Sequence, residues 1–361
     1  MGPGVSAQAA GRVALVGYGF GGSVFHAPFI AAEPRLDLAC VVTASPERQQ
    51  QAVDRYPGVA VLASLEELLG QIDDIDLVVV STPNATHVSI AAAVFGHSRP
   101  VVVDKPVAPT ADEARHLAEL AVAAATVVVP FHNRRWDGDF RTVRALLEAG
   151  ELGTLHAFES RFERWQPQVP SDPDRAWKHD ASPDAAAGIV HDLGTHLVDQ
   201  AVVLFGRPDA VYAEVARRRP ASGVDDDAFI ALHYANGPRV HLWATALAAD
   251  QGPRFRLLGS TGVYTKSGMD VQEAAVIAGR LPTENSWGEE PIPSWGNINT
   301  GVELRAVPTH AGAYGLFYTG IAAFLLDGAP APVDIADALL TAEIIDAALR
   351  SASTATVITL T

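Results

Sequence analysis

Short apolar runs alternate with alanine-rich helical stretches along the first third of the chain. The runs carry hydrophobic residues on both faces, as is typical of strands that helices cover on both sides. They comprise residues 13–16, 38–42, 75–80, 101–103 and 127–129, and residues 84–95 and 110–124 between them have helical composition. This alternation predicts a doubly wound parallel sheet.

The second part of the chain has a different pattern, in which strands follow one another with little helix between them. These strands are predicted at residues 154–162, 210–216, 228–234, 240–245 and 255–258, and Asn236-Gly237 predicts a hairpin between two of them. Residues 266–312 are rich in Gly, Pro, Ser and Asn and are expected to form long irregular connections, before helices at 315–326 and 334–348. We therefore predict a second, α+β domain on a mostly antiparallel sheet, with domains at 1–131 and 132–361.

Composition and charge narrow the classes of function. The 361 residues suit two domains, and 26 Lys and Arg against 42 Asp and Glu give a formal charge of −16. Such a charge repels nucleic acids and anionic lipid surfaces, so neither is expected as a partner. Residues 1–10 lack a basic start followed by an apolar stretch, which predicts a cytoplasmic protein. The single cysteine, Cys40, lies in an apolar run and is expected in the core.

A glycine-rich turn follows the first predicted strand and precedes a helical stretch. Gly17, Gly19 and Gly22 form the G-x-G-x-x-G pattern in the strand-turn-helix setting that binds dinucleotides. Gly17 permits the tight turn, Gly19 lets the backbone approach a pyrophosphate, and Gly22 allows close packing of the helix whose N–H groups face the phosphates.

The end of the second strand bears on the choice of dinucleotide. A carboxylate here would bind the ribose 2′-hydroxyl, but the sequence continues Thr43-Ala44-Ser45 without one. Ser45 and Arg48 are instead placed to receive a 2′-phosphate, and Arg48 as a solvated helix residue is an equally good reading. We predict NADP, with NAD as the alternative.

Two further segments follow strands at the edge where doubly wound sheets bind ligands. One runs from Ser81 to His87, and its Asn84 could simply begin the next helix. The other is Asp104-Lys105-Pro106, where the proline fixes the turn and Lys105 can direct one charge into a cleft. A surface lysine after a strand is the plainer alternative.

Asp192 and His196 lie four residues apart, a spacing that places two side chains on one helical face. An imidazole titrates near neutrality, and a neighbouring carboxylate can orient it, so the pair is a candidate for proton transfer. A structural contact within a helix is the alternative, and a zinc site formed with His191 is a weaker one.

Together these motifs resemble the glucose-fructose oxidoreductase, inositol dehydrogenase and rhizopine catabolism family, written Gfo/Idh/MocA. The resemblance spans nearly the whole chain and includes Thr82-Pro83-Asn84, the Asp104-Lys105-Pro106 form of the family's Glu-Lys-Pro, and Asp192-x-Gly194-x-His196-x-x-Asp199. Residues 19–28 and 131–140 further resemble the branch of scyllo-inositol dehydrogenases, which often use NADP. The sequence departs from the family in having one glycine, Gly188, before this last motif and in having Lys178 where relatives often have arginine.

The resemblance implies an N-terminal Rossmann domain and an NAD(P)-dependent oxidoreductase that exchanges a hydride with a ring carbon of a polyol or sugar. In that reading His196 is the acid or base, Asp192 orients it, and Lys105 hydrogen-bonds the reacting oxygen, although Lys105 and His196 could exchange roles. A glycosidase that retains its cofactor, or a dinucleotide sensor without turnover, are the alternatives. No metal is expected.

The same resemblance implies ligand contacts and an assembly. The residues expected to bind the dinucleotide are Gly17, Gly19, Phe20, Gly22, Ser45, Arg48, Thr82, Pro83, Asn84, His87 and Lys105. Arg134, Trp165 and Tyr314 are weaker candidates for substrate contact, and packing is an equally good reading of each. A dimer or tetramer is expected to form through the C-terminal sheet.

Overall fold

The computed structural model describes residues 10–171, 173–220 and 222–360, and its strands form two sheets. Residues 1–9, on which the expectation about a secretory signal rests, lie outside the described part. Within the described ranges no helix combines the length and apolar character needed to cross a membrane.

The first sheet is parallel throughout, which confirms the predicted doubly wound architecture. Its strands are β1 (Gly11–Val16), β2 (Leu36–Val42), β3 (Ala60–Leu62), β4 (Leu77–Val80), β5 (Val101–Asp104) and β6 (Val128–Phe131), in the order β3-β2-β1-β4-β5-β6. The strand order reverses between β1 and β4, and their carboxyl ends therefore form the crevice where such sheets bind ligands. The three-residue β3 was not predicted.

The helices of this part are α1 (Ala27–Ala32), α2 (Pro46–Arg55), α3 (Leu65–Leu69), α4 (His87–Phe95) and α5 (Ala111–Ala123). A π-helical turn, Gly22–His26, connects the glycine-rich turn to α1. Serine or threonine hydroxyls cap the first turns of α2, α3 and α5 by accepting backbone N–H groups three residues later. These caps fix where each helix begins beside the carboxyl edge of the sheet.

The second sheet is antiparallel except where β7 and β10 pair in parallel. Its strands are β7 (Leu155–Glu163), β8 (Ala210–Ala216), β9 (Asp227–His233), β10 (Arg239–Thr245), β11 (Phe255–Gly259), β12 (Val263–Lys266), β13 (Gly296–Asn299), β14 (Leu304–Val307) and β15 (Ile358–Thr359). The order is β14-β13-β12-β11-β7-β10-β9-β8-β15. β9 and β10 form the hairpin predicted from Asn236-Gly237.

The expectation of irregular structure from 266 to 312 was wrong in part. This segment contains a helix, α8 (Gln272–Ile277), together with β13 and β14; two earlier helices are α6 (Gly138–Glu148) and α7 (Thr195–Phe205). β13 pairs with β12 and buries Ile298 opposite Tyr264. Strands of four residues show little alternation of their own, and neighbouring strands stabilise them.

Two long helices near the C-terminus connect the sheets. α9 (Gly315–Asp327) packs Phe317 and Ile321 into the same apolar cluster as Val13 and Leu15 of β1. α10 (Ile335–Thr354) packs against β8, α7 and α5. Thus α9, which follows the strands of the second sheet along the chain, covers one face of the first sheet. The division at residue 131 stays a prediction.

Candidate active site

A cavity of about 450 Å³ lies where the carboxyl edge of the first sheet faces the second sheet. Its wall includes the glycine-rich turn, the segments after β4 and β5, and the segment that leads into α7. The three predicted catalytic residues, Lys105, Asp192 and His196, all line this cavity.

The glycine-rich turn has the backbone geometry that the motif predicts. Gly17 has a φ of +98°, and a Cβ atom there would lie 2.4 Å from the carbonyl oxygen of Ser81. A Cβ on Gly22 would lie 2.1 Å from the carbonyl oxygen of Gly17. By contrast, a Cβ on Gly19 would meet only the Arg48 guanidinium, at 3.9 Å, so the backbone at Gly19 is open to a ligand. These features fit a bound pyrophosphate.

Arg48 lines the cavity beside this turn, whereas Ser45 does not line it. The Ser45 hydroxyl caps α2 by accepting the backbone N–H of Arg48 at 3.4 Å. Ser64, which the sequence analysis missed, lines the cavity together with Arg48 and caps α3. The wall at this end includes Thr43 and Ala44 and contains no carboxylate among the described residues.

The segments after β4 and β5 are joined by His87, whose imidazole is fully buried. Its Nδ1 lies 2.9 Å from the carbonyl oxygen of Pro106, and its Nε2 lies 2.9 Å from that of Thr82. Burial lowers the pKa of His87. The expected cofactor residue His87 therefore holds two cavity-lining segments together.

Asn84 lines the cavity, and its side chain does not cap a helix. Its side-chain amide donates to the carbonyl oxygens of Ala185 and Ala186, at 3.3 and 3.1 Å. The bonds connect the edge of the first sheet to the segment before Asp192. Phe20, Thr82 and Pro83 also line the cavity, as expected.

The Asp192 carboxylate is surrounded by cations. Its Oδ1 lies 3.0 Å from Lys105 Nζ and 2.9 Å from Lys178 Nζ, and its Oδ2 lies 3.9 Å from the Arg164 guanidinium. Lys105 Nζ also donates to the carbonyl oxygen of Asp192 at 2.7 Å. Burial alone would raise the pKa of Asp192, but Lys178, Lys105 and Arg164 lower it well below its usual value. Asp192 is therefore an anion that positions Lys105.

His196, in the first turn of α7, does not hydrogen-bond Asp192, and this corrects the expectation that Asp192 orients it directly. In the described part of the chain no group hydrogen-bonds the His196 ring, which lies against Phe162 at 6.2 Å between centroids. Burial lowers the pKa of His196 well below its usual value, and the charges of Lys105 and Arg134 lower it further. The imidazole is neutral at pH 7 and open to the cavity.

Asp104 lies behind Lys105 in a buried network that the sequence analysis missed. Its carboxylate accepts the backbone N–H of Lys105 at 2.8 Å and the Ser81 hydroxyl at 3.1 Å, and lies 3.4 Å from His26 Nε2. Tyr318, from α9, lies 2.5 Å from the other nitrogen of His26. Burial would raise the pKa of Asp104, but His26 and Lys105 lower it to about 2.

The structure places the three predicted substrate residues differently from one another. Arg134 lines the cavity, pairs with Glu273 at 2.8 Å and is buried. Tyr314 is not on the cavity wall, because its hydroxyl is 2.6 Å from the buried Asp137. Trp165 is 55% exposed and lies away from the cavity, where Trp177 is present instead. The structure therefore brings Arg134 to the cavity wall and does not bring Tyr314 or Trp165 there.

The described residues do not form the zinc site that the sequence analysis considered at His191. Within residues 10–171, 173–220 and 222–360, no three His, Cys, Asp or Glu residues are grouped so that they could hold a metal ion. His191 hydrogen-bonds the carbonyl oxygen of Ala187 at 3.3 Å and lines a separate, smaller cavity.

Models of two protein domains match the sequence. The model described as the oxidoreductase family with an NAD-binding Rossmann fold matches residues 11–132, and that of the GFO/IDH/MocA C-terminal domain matches residues 140–265. The uncharacterized oxidoreductase YdgJ of Escherichia coli (strain K12) is 39% identical over 350 residues, which cover 94% of this chain and 96% of that protein.

Two relatives from Bacillus subtilis extend the comparison. The scyllo-inositol 2-dehydrogenase (NADP(+)) IolW of strain 168 is 30% identical over 344 residues, which cover 94% of this chain and 93% of that protein. The solved structure of the putative oxidoreductase yvaA superposes with a TM-score of 0.92 at 30% identity, covering 98% of this chain and 99% of that one.

Proposed function

Because the chain belongs to the GFO/IDH/MocA oxidoreductase family, we propose that it is an NADP-dependent dehydrogenase acting on a ring carbon of a polyol or sugar. One observation carries the proposal. Lys105 and the imidazole of His196 open into the same cavity as the glycine-rich turn. A hydroxyl-bearing carbon in this cavity can meet a proton acceptor and a cation together.

His196, Lys105 and Asp192 have separate roles in alcohol oxidation. His196 accepts the hydroxyl proton at a ring nitrogen, and the depressed pKa of His196 keeps that nitrogen unprotonated at pH 7. Lys105 Nζ hydrogen-bonds the same oxygen and stabilises its negative charge. Asp192 holds Lys105 in position through the 3.0 Å contact with its carboxylate.

The residues that would hold the dinucleotide are those of the turn and the strand edges. The backbone of Gly17, Gly19 and Gly22 would face the pyrophosphate, and Thr82 and Pro83 would border the nicotinamide half. When bound, the nicotinamide supplies the hydride acceptor or donor.

A screen of inositols, aldoses and ketosugars with NADP and NAD tests the proposal. We expect nicotinamide absorbance at 340 nm to change in stoichiometric proportion to the substrate consumed. Cleavage of a glycoside without net absorbance change would identify a glycosidase with a retained cofactor. Tight dinucleotide binding without turnover of any compound would identify a sensor.

Cofactor preference is expected to depend on Arg48. A charge-assisted hydrogen bond to a 2′-phosphate contributes roughly 1.5–3 kcal/mol, so Arg48→Ala should weaken NADP binding by about tenfold or more and leave NAD binding nearly unchanged. Titration of both oxidised cofactors measures this effect. Arg55→Ala, on the same helix but outside the cavity wall, is the matched control. Equal affinities of the unmodified protein for NAD and NADP would contradict the assignment.

The proposed assembly is a dimer or tetramer that joins the second sheets of two copies. The face opposite the helices has half-buried Phe229, His241 and Trp243, whose ring centroids lie 5.2–5.8 Å apart, with the Arg161 guanidinium 3.9 Å above Trp243. We expect Trp243→Glu to reduce the mass measured by light scattering, with an unchanged circular dichroism spectrum. An unmodified protein of monomer mass would contradict the assembly.

A further inference from the structure

The part of the cavity around Lys105, Asp192 and His196, where the substrate would bind, has more positive than negative charge. Lys105, Lys178 and Arg164 surround one carboxylate, Asp192, and Asp104 attracts Lys105 from behind. Arg134 does not add to the excess, because Glu273 and Asp137 pair with it. This local excess is notable in a chain whose formal charge is −16.

The cations are held in place rather than free to turn into solvent. Two ammonium groups, those of Lys105 and Lys178, share the single oxygen Oδ1 of Asp192. The Arg164 guanidinium lies 5.0 Å from the ring centroid of Phe162. The ring of Phe162 also contacts the Arg134 guanidinium. Lys178 and Arg164 have side chains 32% and 35% exposed, so an entering ligand can reach them.

Lys178 and Arg164 also extend beyond the catalytic residues. They line an adjoining groove together with His179, Arg219, Asp192 and Asp225, and the Asp225 carboxylate accepts the backbone N–H of Val190 at 2.8 Å. Asp226 pairs with Arg219 at 3.1 Å, which leaves Lys178 and Arg164 as the cations that face the junction. Lys178 and Arg164 share the single carboxylate of Asp192 with Lys105, so these cations outnumber that carboxylate and favour an anionic partner, which a neutral polyol would not supply.

We infer that Lys178 and Arg164 form a subsite for an anionic group, a carboxylate or a phosphate monoester, on the sugar or polyol substrate. The inference rests on the proposed function and specifies the class of its substrate. Lys105 and His196 then meet the reacting carbon while the anionic group occupies the junction of cavity and groove. A carboxylate or phosphate there would relieve the repulsion between the two lysines that share Asp192.

Dissociation constants for glucose, glucuronate and glucose 6-phosphate, measured by calorimetry with saturating NADP, test the subsite. Saturating cofactor removes the dinucleotide phosphate sites as a source of anion binding. We expect at least one of the two anionic sugars to bind about tenfold more tightly than glucose, with an advantage that decreases as salt rises. The anion with the larger gain identifies the group that the subsite accepts. Equal affinities for all three sugars would overturn the inference.

Two variants test whether Lys178 and Arg164 cause the tighter binding of anionic sugars. Lys178→Met and Arg164→Gln should each reduce the ratio of the glucose to the anionic-sugar dissociation constant by about fivefold to tenfold. Arg144→Gln, an exposed residue of α6 paired with Glu148, should leave that ratio unchanged. An unaltered ratio in both cavity variants would refute the subsite. Selective anion binding without any absorbance change would support it and refute the proposed redox function instead.

Discussion

Replacing His196 by alanine is expected to lower kcat by about 10²- to 10⁴-fold, because the variant loses the group that exchanges the substrate proton. The dissociation constant of NADP should change little, since His196 belongs to α7 and not to the glycine-rich turn. Steady-state kinetics and cofactor titration separate the two effects.

The pH profile distinguishes a proton acceptor from a residue needed for packing. Neutral His196 is the reactive form in oxidation, and the pKa of His196 lies well below 6.5, so the acid limb of the kcat/KM profile for oxidation should lie below pH 6.5. His196→Ala should remove that acid limb, and His116→Ala, on the exposed side of α5, should retain it. Unchanged turnover in His196→Ala would exclude the proposed role.

Replacement of Lys105 by methionine should reduce kcat by about 10²- to 10³-fold, the usual effect of losing one donor to a developing oxyanion. Methionine has a similar length and no charge, so the cavity keeps its shape. A loss confined to kcat, with a melting temperature close to that of the unmodified protein, is the result that fits a catalytic lysine.

Lys178→Met provides the comparison for this experiment. Lys178 contacts the same Asp192 oxygen as Lys105, at 2.9 against 3.0 Å, but lies farther out in the cavity and the adjoining groove. We expect its loss to act mainly on the KM for anionic substrates. If the two variants lost kcat equally, Lys105 would have no special place at the reacting oxygen.

The sequence predicted those parts of the fold whose signal is local. The buried valine runs and the Thr110 cap depend on residues close together in the chain, and the structure has them where they were expected. β3 was missed because it has only three residues, and β12 to β14 were missed because they lack the continuous apolar run of the equally short β4 and β5. Pairing with neighbours stabilises such strands, and this contribution is not visible in a short run of the sequence.

In the site, too, the features with a local sequence signal were predicted and those that depend on distant segments were not. The positions of the glycine-rich turn, Lys105 and His196 follow from motifs, and the structure brings them to one cavity. The partners of Asp192 could not be predicted, because Arg164 and Lys178 reach it from segments without a motif. Trp165 and Trp177 both lie in the connection between β7 and α7, and only the folded backbone decides which of them faces the cavity.

The packing of α9 limits how the gene can be recombined with those of relatives. Phe317 and Ile321 cover apolar side chains of β1, and Tyr318 reaches His26 behind the cavity. A chimaera cut near residue 131 would pair the first sheet with a foreign α9, exposing or crowding that face. Crossover points that keep residues 315–327 together with residues 11–131 preserve both the covering helix and the Tyr318–His26 contact.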